Sequence, residues 1–344
     1  MFYQFVKILA RIAINFYCRD IRINKKETLK SNGPLLLAVN HPNSFLDAVI
    51  LCTLFDKPVY SLARGDAFNG KLISKLLYSL KLLPVYRASE GVENLEDNYT
   101  TFEECIKIFK QKGIVLIFSE GRCENEWHLR RLKKGTARLA IAAWQQQIPL
   151  QVLPIGINYN SFILFGKNVH LNIGEPIDRG SIISNFTDGG LLLNELTGAI
   201  QQQLQTLVYE IDANDRKQKV ARLYLSISGF KKYLLTIPAC IGWLIHWPFF
   251  FPIKNFIAKK VAKDGHYDSI LVGLLIFTYP VYLLLFAICT YLIGKKKGKC
   301  ISQPINAGIV SKYFLKPDIE RYNLATFCFR SLASISYTNV CSCC

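Results

Sequence analysis

The chain has 344 residues, about half of them apolar, and a formal net charge of +17. That length allows one domain with added elements or two small domains, and so apolar a composition argues that part of the chain meets lipid. The charge calls for an anionic partner; no RNP-like or zinc-finger pattern accompanies it and the basic residues lie beside apolar runs, so a membrane surface is expected and nucleic acid is not.

In chain order, residues 2–18 come first. Phe5, Ile8, Ile12 and Phe16 recur at helical spacing, with Lys7 and Arg11 on another face. This predicts a basic amphipathic helix suited to the membrane interface; the plainer reading is a surface helix packed on a core. Lys7 and Arg11 break the apolar stretch and no small-residue cleavage site follows, so a signal peptide is not expected. The 11 cysteines form no paired set of C-x-x-C motifs, and Cys52, Cys240 and Cys289 sit inside apolar runs. Reduced core thiols in a cytosol-facing protein are expected.

Between about 34 and 210 the pattern changes. LLLAV at 35–39, IVLIF at 114–118 and LQVLPIGI at 150–157 read as buried strands, with helical patterns at 44–55, 70–81, 97–111 and 134–147. Gly113 and Pro149 mark helix ends just ahead of strands. The alternation predicts an α/β fold with a mainly parallel central sheet flanked by helices. A charged run from Glu210 to Arg222 closes this unit. The expected organisation is an interfacial helix and lead-in over 1–30, a domain over 31–222, a membrane hairpin over 223–300 and a tail over 301–344.

Two apolar stretches, about 233–253 and 269–293, form the expected hairpin; each approaches the ~20 residues a helix needs to cross a bilayer. Pro238, His246 and Pro248 weaken the first, while Pro280 is tolerable as a kink in the second. Four lysines lie in 254–268, and Lys295, Lys296, Lys297 and Lys299 follow the second stretch, so charge alone does not orient the segment. A spanning hairpin is expected. The alternative is a re-entrant one, which keeps every lysine on the cytosolic side. The tail from 301 shows no periodicity and ends CSCC; a disordered end is expected over an acylated or metal-binding one.

Four local features carry chemistry. Asn40-His41-Pro42-Asn43-Ser44-Phe45-Leu46-Asp47 follows the first strand and opens a helix. Pro42 biases His41 away from helical angles and itself suits a first turn. His41 then sits where the active sites of open parallel sheets gather, at the carboxyl end of a strand. A carboxylate on one ring nitrogen would fix the tautomer and leave the other to deprotonate an alcohol. With no G-x-S-x-G nucleophile motif, direct attack by a substrate hydroxyl fits better than an acyl-enzyme; the plainer reading is a structural histidine capping a helix. The second feature is Ile117-Phe118-Ser119-Glu120-Gly121-Arg122, with Arg130, Arg131, Lys133 and Lys134 beyond it. A glycine turn with guanidinium groups can bind phosphate, and equally can be a turn with solvated charges. Leu83-Pro84-Val85-Tyr86-Arg87 is a short extended run ending in arginine, and Val152-Leu153-Pro154-Ile155-Gly156 an apolar strand holding a proline.

In order and rough spacing these four blocks resemble the glycerolipid acyltransferase family, which contains lysophosphatidic acid and glycerol-3-phosphate acyltransferases. The resemblance covers about residues 30–210. It implies that His41 is the general base and Asp47 its orienting partner. Arg87, Glu120, Gly121 and Arg122 would hold the acceptor, with the arginines on its phosphate. Lys133 and Lys134 match the basic-glycine stretch that often follows the third block, and Pro154 the proline of the fourth. It also implies acyl-CoA or acyl-carrier protein as donor, a phosphorylated glycerolipid acceptor, membrane lipids as partners, no cofactor and no metal, and a membrane location with the catalytic domain facing the cytoplasm. The chain departs from the family's usual form in three places. Five residues separate His41 from Asp47 where four are usual, Ser119 stands where proline is common, and Arg122 follows Gly121 directly. The acceptor is expected to be 1-acyl-glycerol-3-phosphate, with glycerol-3-phosphate or another lipid acceptor as the alternative. A catalytically inactive membrane scaffold is the reading of another class.

Overall fold

The computed structural model describes residues 1–86, 95–182, 189–224, 229–261 and 266–296. Lys297 and Lys299, which follow the second expected span, and the tail over 301–344 lie outside the described residues.

The expected α/β architecture is present. Seven strands form one sheet: β1 (Cys18–Ile23), β2 (Leu35–Val39), β3 (Val59–Arg64), β4 (Leu82–Val85), β5 (Ile114–Phe118), β6 (Gln151–Tyr159) and β7 (Lys167–Ile173). Their order is β1-β7-β6-β2-β5-β3-β4, and every neighbouring pair is parallel except β6 with β7. β2 is central and wholly apolar because both its faces are covered: Leu35, Leu37 and Val39 face one core, Leu36 and Ala38 the other. The N-terminal lead-in expected over 1–30 is part of the sheet, since β1 pairs with β7.

Helices cover both faces. α1 (Phe2–Tyr17), α2 (Phe45–Leu54), α3 (Lys71–Ser79), α4 (Leu95–Lys110), α5 (Gly135–Gln145), α6 (Gly189–Leu207) and α7 (Arg216–Leu223) precede two long helices, α8 (Gly229–Val261) and α9 (Tyr267–Lys296). α2 joins the first core, with Ile257 near the end of α8 and Leu271 and Val272 near the start of α9. Residues of α4, α5 and α6 fill the second. β2 and β5 are neighbours whose following helices leave toward opposite edges of the sheet, α2 to β3 and α5 to β6. That divergence opens the crevice in which open α/β sheets bind ligands.

α1 is amphipathic and docks through Ala10, Ile14 and Tyr17, with Lys7 buried beside them. Lys7 is buried and donates to the carbonyls of Phe55 and Asp56 at 2.5 and 3.2 Å, and Arg11 Nε donates to that of Thr53 at 3.1 Å. These oxygens lie at the end of α2, where unpaired carbonyls and the helix dipole favour cations. Phe2, Phe5, Ile8 and Leu9 are left exposed. α8 and α9 pack on each other, with Phe249 stacked on Tyr282 at 4.7 Å. Of the two expected spans, one stands among the described residues: Tyr267–Leu292 is long and apolar enough to cross a membrane. α8 carries Pro238, His246, Pro248, Pro252 and Lys254 in its length.

Candidate active site

Three adjacent strands deliver the site from their carboxyl ends. β2 leads into Asn40-His41, β5 into Ser119-Glu120, and β6 ends at Tyr159. Asn40 seals β2 against β6: its Nδ2 donates to Ile157 O at 3.0 Å and its Oδ1 accepts from Ile157 N at 2.7 Å.

The turn from His41 to the first turn of α2 brings imidazole and carboxylate together. His41 Nδ1 lies 2.9 Å from Asp47 Oδ2. The ring is stacked on Phe118, centroids 3.8 Å apart and planes 12° apart, and the side chain is 17% exposed. Asp47 is fully buried. Its Oδ2 also accepts from Asn43 N at 2.8 Å, and its Oδ1 accepts from Tyr159 OH at 2.7 Å. With Nδ1 placed to donate to Asp47 Oδ2, Nε2 is left to accept a proton. Burial first, and then Asp47, push the Tyr159 hydroxyl well above the usual tyrosine range, which keeps it a donor.

The extra residue between His41 and Asp47 is absorbed at Ser44. It precedes α2 with φ 51° and ψ −138°, a region that L residues occupy at a cost of order 1–3 kcal/mol when the surroundings impose it. Those surroundings are specific. Ser44 N donates to Cys123 Sγ at 2.9 Å, Ser44 Oγ shares a 2.6 Å hydrogen bond with His266 Nδ1, and Asn125 Nδ2 donates to Pro42 O at 2.7 Å. The Cys123 thiol is pushed up to about 12 by burial and then by Asp47, so it remains a neutral acceptor here.

The second block lies against the first. Glu120 is buried and its two oxygens accept from His41 N at 3.0 Å and Arg130 N at 3.1 Å. Burial raises its pKa, and these amides oppose the rise. Both oxygens of Glu120, the residue expected to hold an acceptor, meet main-chain donors, one of them the His41 amide. Gly121 has φ 75° and lies beside Lys133, whose N donates to Ser119 O at 2.7 Å. Arg122, Lys133 and Lys134 are exposed at this edge. Arg122 Nε stands 3.4 Å from Glu124 Oε1, while Arg130 pairs with Glu126 and reaches Glu124 at 3.7 Å. Pro154 lies in buried β6 opposite Ala38 of β2. Arg87 lies outside the described residues. Among the described residues no group of three His, Cys, Asp or Glu side chains converges to hold a metal ion.

Several partners of the pair were not anticipated from the sequence: Tyr159, Asn43, Cys123, and Asp268 behind them. Asn43 lies inside the first motif. Asp268 had a signal of its own, a lone acid at the head of an apolar run.

Residues 20–158 match the family model described as Acyltransferase. No curated protein sequence matches the chain. Among solved structures, the chain is similar to PlsC, the 1-acyl-sn-glycerophosphate acyltransferase of Thermotoga maritima. The TM-score is 0.45 at 17% identity, over 62% of this chain and 81% of that one.

Proposed function

We propose that this chain, whose residues 20–158 match the acyltransferase family model, moves a fatty acyl group onto the hydroxyl of 1-acyl-glycerol-3-phosphate. The donor is acyl-CoA or acyl-carrier protein, and the product is phosphatidic acid for phospholipid synthesis. The observation that carries the reading is the 2.9 Å contact of His41 Nδ1 with buried Asp47, at the carboxyl end of the central strand.

The chemistry follows from that pair. Nε2 of His41 takes the proton of the acceptor hydroxyl as its oxygen attacks the thioester carbonyl. The C–O bond forms, the C–S bond breaks, and the imidazolium returns its proton to the departing thiolate. Asp47 steadies the transient imidazolium without taking its proton. Arg122, Lys133 and Lys134, with Arg87, supply positive charge for the acceptor's phosphate. A membrane location with the catalytic domain toward the cytoplasm lets the acyl chains stay in lipid; the long apolar α9 supports it.

Glycerol-3-phosphate is the second acceptor to test, favoured by the five residues between His41 and Asp47. Purified protein given acyl-CoA with each acceptor in turn separates the two. His41→Ala should lower turnover by about 10²–10⁴, the usual share of general acid–base catalysis, while the protein stays folded. Transfer to neither acceptor would leave another lipid acceptor or the inactive scaffold.

A further inference from the structure

The largest buried charge cluster lies behind the catalytic pair and is not used by the reaction as written. Asp268, in the first turn of α9, and Lys167, at the start of β7, are both fully buried and form an ion pair. Tyr17 OH donates to Asp268 Oδ1 at 2.5 Å, and Asn43 Nδ2 donates to Asp268 Oδ2 at 2.7 Å. Asn43 is thus shared. Its side chain is held by Asp268, while its backbone N–H holds Asp47 Oδ2 at 2.8 Å. Lys167 Nζ also lies 5.4 Å from the ring of Tyr17 and 5.7 Å from that of Tyr159. Those tyrosines bind Asp268 and Asp47 respectively.

Burying such a pair gains little stability, since apolar side chains of similar volume often do as well or better. What it does here is place a fixed negative charge one residue away from the catalytic carboxylate. Burial pushes the Lys167 ammonium down to about 7, opposed by Cys18 and Asp47. The same helix start reaches the strained residue of the turn, through His266 on Ser44. Both contacts come from the beginning of the apolar helix, about 220 residues along the chain from the turn they hold.

We propose that Asn43 and Asp268 are positioning residues for the His41–Asp47 pair, with Lys167 holding Asp268 in place, so that the docked start of α9 completes the active site. This rests on the acyltransferase reading for its kinetic part only, because the orientation of the His41 ring can be read without turnover.

The test uses the full chain in detergent or lipid, labelled with ¹⁵N-histidine, in three forms. These are Asn43→Ala, the pair Lys167→Met with Asp268→Leu, and all three substitutions together. The double variant removes the charges without stranding one in the core. The expected result is that each of the first two loses or shifts the Nδ1 proton resonance of His41. Each also lowers kcat by about 10- to 100-fold, the scale of an ångström's misplacement, with KM within about twofold of the parent. The combined variant should be no worse than the poorer of the two, because both act through one bridge. Folded variants with a native His41 resonance and unchanged kcat overturn the proposal, as do losses that multiply. A parent that transfers no acyl group, but whose His41 resonance responds as expected, overturns the reaction and leaves the positioning role standing.

Discussion

Asp47 is fully buried, with its charge divided among His41, the Asn43 amide and the Tyr159 hydroxyl. Each donor does a different job. The imidazole is the chemical partner, the amide sets the turn, and the hydroxyl fixes the second oxygen so that the carboxylate cannot rotate. Tyr159→Phe keeps the ring and its packing but leaves Oδ1 without its donor. It should cost about 1.5–3 kcal/mol of stability, as for a hydrogen bond to a charged group. It should also lower kcat more than it changes KM, read from thermal unfolding and from steady-state kinetics on the same preparation. His41 and Asp47 were legible from type and order alone. Tyr159 was not, because nothing local to 159 distinguishes it from a core tyrosine until β6 is laid beside β2. Glu120 shows the opposite case: its presence was legible, but its task depended on which donors surrounded it.

At the scale of elements, the site depends on strands that end level with one another. β2 and β5 were legible to the residue, since buried parallel strands show as unbroken apolar runs. β1, β3 and β7 were not. CRDIRI, VYSLAR and KNVHLNI mix charges and polar groups into short segments, and β1 gains its strand character only from pairing on β7. β6 is held to its helix by a glycine. A Cβ at Gly156 would meet the carbonyl oxygen of Leu207 at 2.6 Å and its side chain at 2.8 Å. Leu207 O is also the acceptor for Asn158 and Asn172. Gly156→Ala should therefore destabilise the fold by about 1–3 kcal/mol through overpacking, seen as a lowered melting temperature. Activity per folded molecule should drop too, since Tyr159 follows three residues on. α1 carries the same lesson in reverse. Its period was readable, but not that Lys7 would be buried beside Ala10, Ile14 and Tyr17; the lysine is accommodated because the carbonyls at the end of α2 are there to receive it.

Among the described residues, exposed apolar side chains gather on α1, α3, α8 and α9. Phe2, Phe5, Ile8 and Leu9, then Leu72, Ile73 and Leu76, then much of α9 from Phe277 onward stand open. The steps from β2 to β3 and from β3 to β4 run in one direction across the sheet, and right-handed crossovers place α2 and α3 on the same face. α1, α8 and α9 join that face through its core. A chain of net charge +17 with such a face should sediment with membranes. It should stay there through high salt, which screens surface charge, and through alkaline washing, which strips proteins held by charge alone. Recovery in the supernatant after either wash would show that α9 does not enter the bilayer.

Residue order and periodicity alone determined the α/β class, the central strands, the His41 turn and the cationic edge, because each rests on neighbours within about ten positions. Only tertiary structure decided which donors meet Glu120, how α1 buries Lys7, and that the start of α9 reaches the His41–Asp47 turn. Those outcomes depend on buried donors and acceptors finding each other across the sheet. The partners of Asp268 come from positions 17, 43 and 167, a pairing that distance along the chain conceals.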